Sequence, residues 1–260
     1  MYPRKLSWIF TILSVMVLLG ASSLLFLSFQ RLDYTWDFAF LKDYFWEPTS
    51  GKPGLILQGL WGTFYISLLS IVGGSVIGLL LGLVMICPEP LARKSATVFV
   101  DVFRNTPVLV QLYVMYFIVG TALELSPEMA GILTLSLFCS AYVADIFRAN
   151  VLEFDKGQWD AARAMGLHQG QIALYIMAPQ ILRRMLPALV GQFVSLVKDS
   201  SLVSVISVND LTKSALNVIA VSFRSFETWF VIAIIYCLLN YALSSYGRYL
   251  ERRLRVGLYG

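Results

Sequence analysis

Two polar clusters interrupt an otherwise apolar chain, and any chemistry the chain performs must use them. One is Lys198-Asp199-Ser200-Ser201, an ammonium, a carboxylate and two hydroxyls set within apolar sequence. The other is residues 156–189, KGQWDAARAMGLHQGQIALYIMAPQILRRMLPAL, a polar stretch between two apolar blocks. Neither reads as catalytic. Group transfer needs a nucleophile beside a base, or converging metal ligands. The one histidine, His168, has no evident catalytic partner, and no H-E-x-x-H occurs, so His168 reads as a solvated or helix-starting residue. Cys87, Cys139 and Cys237 lie far apart in or beside apolar runs without a C-x-x-C pair, which predicts neither a metal site nor a disulfide framework. A phosphate-cradling G-x-x-x-x-G-K-[ST] is absent, because Gly51-Lys52-Pro53 lacks the spacing. The residue types and spacings of these clusters match no bond-making or bond-breaking site.

The longer cluster reads as two short helices parted by a glycine. Residues 156–165 are good helix formers, and Gly166 stands where a left-handed residue ends the helix, with apolar Leu167 after it. Gly157, Ala161 and Ala164 recur at i, i+4 and i+7, a ridge of small side chains that lets another surface come close. From Gln171 an apolar stripe of Ile172, Tyr175 and Ile176 begins a second helix, which Pro179 is expected to limit or kink.

The elements that carry these clusters are membrane spans. Residues of hydrophobic type make up 58% of the chain and charged ones only 14%, with a mean hydropathy of +0.72. That balance fits a lipid bilayer rather than a soluble domain. A dispersed net charge of +4 gives no stripe for nucleic acid, and none is expected as a partner. Residues 6–30 hold no charge and outrun a signal-peptide core, so they read as an uncleaved span. An outer loop over residues 31–54 follows, rich in Trp and Tyr. Residues 55–87 form the second uncharged run, in which Gly74, Gly78 and Gly82 share one helix face as a close-packing surface. Further spans are predicted over residues 108–123, 129–152, 185–208 and 226–246, with Ser126-Pro127-Glu128 as a helix start and residues 209–225 as a polar loop. Asp101 and Arg104, at i and i+3, are placed to satisfy one another.

The fifth span is the informative one. Residues 185–197 reach only about 20 Å, so the span closes only with Lys198, Asp199, Ser200 and Ser201 inside it. A charge held there costs about 2.5–3.5 kcal/mol or more, so both ions must face protein or a water-filled path. Pathway lining and a buried structural ion network are both open at this point. Arg4, Lys5, Arg93, Lys94, Arg148, Lys156, Arg163, Arg183, Arg184 and the arginines at the C-terminal end outweigh the basic residues of the outer segments. Both termini and the 156–189 loop therefore belong in the cytoplasm, and six spans result.

Asp160-Ala161-Ala162, Gly166 four residues on and Pro179 beyond it resemble the EAA loop of ABC importer permeases, with Asp where that family usually has Glu. The segments Phe103-Arg104-Asn105-Thr106-Pro107, Ala141-Tyr142-Val143-Ala144 with Arg148, Lys156-Gly157-Gln158 and Lys198-Asp199-Ser200-Ser201-Leu202 are each similar to permeases for polar amino acid uptake. The resemblance implies an all-α integral membrane protein, a five-helix permease core over residues 55–250 preceded by an extra helix and outer loop (1–54) and followed by a tail (251–260). It implies a coupling loop at 153–184 that docks on a separate ATPase through Gly157, Asp160, Ala161, Ala162, Ala164 and Gly166. Further implied partners are a second permease subunit, identical or a sister chain, and an extracytoplasmic amino-acid-binding protein. The place would be a bacterial cytoplasmic (inner) membrane. No cofactor is expected on this chain, since ATP and magnesium would sit on the ATPase; the chain is expected to transport, not to catalyse. An ion-gradient-driven transporter is the alternative, which internal repeats would favour.

Overall fold

The structure, a computed structural model, describes residues 4–31, 34–48 and 51–255. It divides after Ala39 into two units. The first contains helix α1 (Arg4–Arg31), followed by a stack of Trp36 on Phe38. The second runs from Phe40 onward and so takes in the end of the 31–54 loop. Burial ties that stretch in: Leu41, on the short helix α2 (Leu41–Phe45), is only 3% exposed and packs with Ile56, Leu211 and Ile232. A two-stranded hairpin of β1 (Trp46–Glu47) and β2 (Lys52–Pro53) closes this cap.

Helix α3 (Leu55–Met85) and helix α6 (Pro127–Leu152) form the central seam. A Cβ built on Gly74 would stand 2.6 Å from that of Cys139, one on Gly78 2.6 Å from that of Val143, and one on Gly82 2.7 Å from the Phe147 ring. Three glycines at four-residue spacing thus receive three larger side chains at the same spacing, and the backbones meet where any side chain would hold them apart. Helix α6 starts as its sequence predicts, with Ser126 Oγ accepting from the Met129 N–H and Pro127 in the first turn. The face of α3 away from the seam exposes Val72, Val76 and Leu80, as a lipid-facing helix should.

Helix α4 (Pro90–Asn105) ends before Pro107, and the chain bends by 106° into α5 (Val108–Tyr113), which continues through π-helical turns (Val114–Gly120). Proline disfavours a helical conformation in the residue before it, and Thr106 is extended at φ −107°, ψ 135°, which places the break. Gln111 Nε2 donates to the carbonyls of Phe103 and Thr106, bridging the bend. Here Arg104 does not pair with Asp101. It reaches across to Asp145 on α6 and lies over the Tyr142 ring, because α4 packs on α6 and brings a carboxylate nearer than one on its own exposed face.

After α7 (Lys156–Ala164), helix α8 (Gln169–Gln171), π-helical turns (Ile172–Met177), α9 (Ala178–Asp199) and a 3-10 segment (Ser200–Ile206) run together as one span, Gln169–Ile206. Pro179 does not stop this helix. It falls in the first turn after the π-helical widening, where its missing N–H and its ring are accommodated. The expected polar loop at 209–225 instead holds helix α10 (Leu211–Ser222), whose Leu211, Ala215 and Val218 are buried at i, i+4 and i+7. Asp210 caps it by accepting from the Lys213 N–H at 2.7 Å. Helix α11 (Ser225–Arg255) is the last described element. Among the described residues four helices are long and apolar enough to cross a membrane, and the bent α4–α5 pair makes a fifth crossing if taken as one.

Candidate functional site: the α7 elbow and the α9–α11 groove

Helix α7 is a short rod with a defined start and stop. At its start Asp155 Oδ1 accepts from the Gly157 N–H at 2.8 Å. A Cβ on Gly157 would come within 3.2 Å of that carboxylate, so the small residue keeps the cap compact. At its end Gly166 adopts φ +85°, its N–H donates to Arg163 O at 3.0 Å, and the Leu167 N–H donates to Ala162 O at 3.3 Å. These two bonds are the Schellman pattern, which only a residue tolerant of left-handed backbone closes cheaply. Immediately beyond, His168 starts the next helix through a reciprocal cap: its Nδ1 accepts from the Gln171 N–H, and Gln171 Oε1 accepts from the His168 N–H at 3.1 Å.

The two faces of α7 differ. Gly157, Asp160, Ala161, Ala164 and the Gly166 turn are exposed. Ala162 is 1% exposed and faces inward, so it cannot touch a docking partner and serves instead to seat the rod. Trp159 packs beside Phe154, Ile181 and Met185, the first from the end of the preceding helix and the other two from α9. Gln180 Nε2 donates to Gln158 Oε1 at 2.9 Å and also to Ile176 O. Trp159 and Gln158 are the residues that fasten α7 to the Gln169–Ile206 span. Sequence reasoning foresaw neither contact, although Gln158 falls in the Lys156-Gly157-Gln158 segment, since a contact 22 positions away leaves no local periodicity. The exposed face of α7 is thus tied to the long Gln169–Ile206 helix.

The second polar cluster is divided by the fold. Lys198 is exposed, on a groove of about 460 Å³ between α9 and α11 that Tyr236, Cys237, Asn240, Tyr241, Ser244 and Arg248 also line. Asp199 is half-buried, and Ser200 is fully buried with its Oγ donating to Val197 O at 2.8 Å. Ser201 is half-buried and its carbonyl accepts from Ser204 Oγ. Of the four residues only Lys198 reaches the groove, while the Ser200 hydroxyl satisfies its own helix. At the far end of the bundle from α7, a buried polar network pins α10. Leu211 N–H donates to Thr63 Oγ1 at 3.0 Å, and the Tyr236 hydroxyl lies 3.0 Å from Thr212 Oγ1 and donates to Asp210 Oδ2 at 3.4 Å. Asp210 has no exposed surface, and burial pushes its carboxyl up to about 6 despite the backbone N–H groups of Lys213 and Thr212. Among the described residues no group of three or more His, Cys, Asp and Glu is arranged to hold a metal ion.

Residues 74–256 match the family of binding-protein-dependent transport system inner membrane components. The glutamine transport system permease protein of Escherichia coli is 38% identical over 205 residues, 78% of this chain and 94% of that protein. The probable glutamine ABC transporter permease protein of Bacillus subtilis is 35% identical over 202 residues, 75% and 92% of the two chains. Among solved structures, one of an amino acid ABC transporter with histidines superposes with a TM-score of 0.76 at 32% identity, covering 85% of this chain and 100% of that one. An inward-facing methionine ABC transporter shares the fold with a TM-score of 0.69 at 21% identity, over 80% and 98% of the chains.

Proposed function

The chain belongs to the family of binding-protein-dependent transport system inner membrane components, and on that premise we propose how it serves as the permease subunit of an amino acid ABC importer. The relatives named for glutamine transport make glutamine the first substrate to test. The observation that carries the reading is the exposed small-residue face of α7, joined through Trp159 and Gln158 to a helix that continues across the membrane.

In this reading Gly157, Ala161 and Ala164 receive the surface of a separate ATPase, Asp160 makes the polar contact, and Gly166 lets the chain leave sharply. Asp160 is one methylene shorter than the glutamate usual in such loops, so its partner must approach closer. ATP and magnesium act on the ATPase, and this chain contributes motion. Six spans cross a bacterial cytoplasmic membrane, with α1 as the first and α7 and both termini on the cytoplasmic side. A second permease subunit, identical or a sister chain, completes the pathway, and an extracytoplasmic binding protein delivers the amino acid to the α10 end. Pro187 lies inside α9 between the Ile181–Met185 anchor and Lys198 and removes one hydrogen bond from the ladder. A tilt of about 10° there would displace the backbone at Lys198 by about 3 Å, given eleven residues at about 1.5 Å each. Alternating access follows from that leverage.

Reconstitution in proteoliposomes tests the scheme. Uptake of labelled glutamine should require the ATPase subunit, the binding protein and ATP together. Uptake driven by an ion gradient without nucleotide would overturn the reading. Uptake of another amino acid under the same requirements would replace only the substrate.

A further inference from the structure

We propose that the groove between α9 and α11 receives the carboxylate of the transported amino acid during its passage to the cytoplasm, with Lys198 at the inner-membrane depth of the groove and Arg248 at its cytoplasmic mouth. The inference rests on the importer reading above. Six lining residues carry it: Lys198, Tyr236, Asn240, Tyr241, Ser244 and Arg248, with no acidic residue among the lining. The nearest acids on the same helices are Asp199, which is half-buried and outside the lining, and Glu251, about one turn beyond Arg248. Both cations are exposed on the chain. Lys198 lies eight residues before the end of the Gln169–Ile206 span, within apolar sequence, where an ammonium facing hydrocarbon is unfavourable and one facing a wet, anion-carrying path is not.

The two cations are spaced along the groove rather than paired. From Asn240, near the Lys198 end, to Arg248 is eight residues of α11, about 12 Å of rise. Arg248 is oriented by a hydrogen bond from Nη2 to Ser245 Oγ at 2.8 Å and by the Tyr241 ring at 5.9 Å, which leave other guanidinium N–H groups for an anion. Asn240 donates from Nδ2 to Tyr236 O at 2.7 Å, and its buried Oδ1 accepts no hydrogen bond. That unmet acceptor lies buried behind the groove wall, and a small turn of the Asn240 amide would bring it to a substrate ammonium. Two spaced cations with one unmet acceptor suit a zwitterion whose side chain is neutral or acidic. They repel a net cation, so the groove assigns amide or acidic amino acids over basic ones, a choice the coupling elbow says nothing about.

Cys237 is exposed on the same groove and supplies a probe that needs no transport. In the purified complex an anionic ethylsulfonate methanethiosulfonate should modify Cys237 about tenfold or more faster than the cationic trimethylammonium reagent, the scale of electrostatic focusing in a charged cleft. Lys198→Gln and Arg248→Gln should each shrink that ratio, and Lys198→Arg should keep it. Equal rates in the natural complex, or a preference for the cation, overturn the groove whatever the protein transports. Binding of labelled glutamine to the complex without its binding protein gives the second readout, normalised to assembled complex. Lys198→Gln should weaken it about tenfold or more, the loss of one charge-assisted hydrogen bond. The deaminated analogue 4-carbamoylbutanoate should compete, and the decarboxylated 4-aminobutanamide should not. The reverse order of competition overturns the proposal. A complex that moves no amino acid with ATP refutes the importer reading instead, and the thiol rates still judge the groove.

Discussion

Substituting valine for Gly166 separates a strained turn from a crowded one. At φ +85° a Cβ on this residue would meet nothing within 4 Å, so volume is no obstacle. What remains is the backbone. An ordinary L-residue in the left-handed region costs about 1–2 kcal/mol, a β-branched one sits at the upper end, and asparagine is tolerated better. The two hydrogen bonds that close the turn, from Gly166 to Arg163 and from Leu167 to Ala162, are each worth about 0.5–1.5 kcal/mol and are lost if the backbone relaxes. Since about 1.4 kcal/mol is a tenfold ratio, Gly166→Val should depopulate the native elbow about tenfold or more. The assay is substrate moved per ATP hydrolysed in proteoliposomes, with the assembled complex quantified. Gly166→Val should assemble yet lose about tenfold of that ratio, Gly166→Ala should fall between, and Gly166→Asn should stay within about threefold of the natural chain. If asparagine were as damaging as valine, backbone strain would not be the cause. If valine coupled normally, the elbow would not transmit motion at all.

Two further perturbations test how the site is held. Gly78→Leu should destabilise the detergent-solubilised protein by about 1–3 kcal/mol or more, because a Cβ there meets the Val143 Cβ at 2.6 Å and the Ser140 carbonyl at 2.7 Å; Val143→Ala should recover only part, the carbonyl being immovable backbone, and an unchanged melting temperature for Gly78→Leu would refute the seam. At Asp210 the folded carboxyl titrates near 6 against an ordinary 3.8, so the fold holds the proton more tightly than the unfolded chain does. Its contribution to stability is full below about pH 4 and is lost as pH rises through about 6, an effect of up to about 3 kcal/mol. Asp210→Asn keeps the cap, removes the titration and should raise the melting temperature at pH 7 while flattening its profile between pH 4 and 7; a profile of unchanged slope would count against burial as the cause.

The elements legible in the sequence were those governed by local rules. Proline and serine at 126–127 fixed the start of α6, the glycine at 166 fixed the end of α7, and three glycines at four-residue spacing marked the face of α3 that meets α6. Helix α10 was harder to see, because a twelve-residue amphipathic helix is shorter than a span and its serines, threonine and lysine read as loop. Its signal was present in Asp210 as a cap and in Leu211, Ala215 and Val218 as a buried stripe, and the span-length criterion outweighed it. Pro179 misled for a related reason. A proline close behind a widened turn is accommodated more easily, and the π-helical turns over Ile172–Met177 supply that slack.

Charge was the least legible property, since a side chain's partner is set by packing rather than spacing. Asp101 lies at the favoured distance from Arg104 along its own helix, yet the arginine spans 41 positions to Asp145 because α4 crosses α6 there. The same holds at 198–201, where four polar residues in a row look like one site and the helix turns them to different surroundings: Lys198 to the groove, Ser200 to the core. A helix advances about 100° per residue, so a contiguous polar motif in a span cannot present all its members to one path. The groove that Lys198 reaches is completed by residues from another helix, and on α11 these include Asn240, Ser244 and Arg248, spread along two turns, which in sequence are merely polar interruptions of a final hydrophobic run.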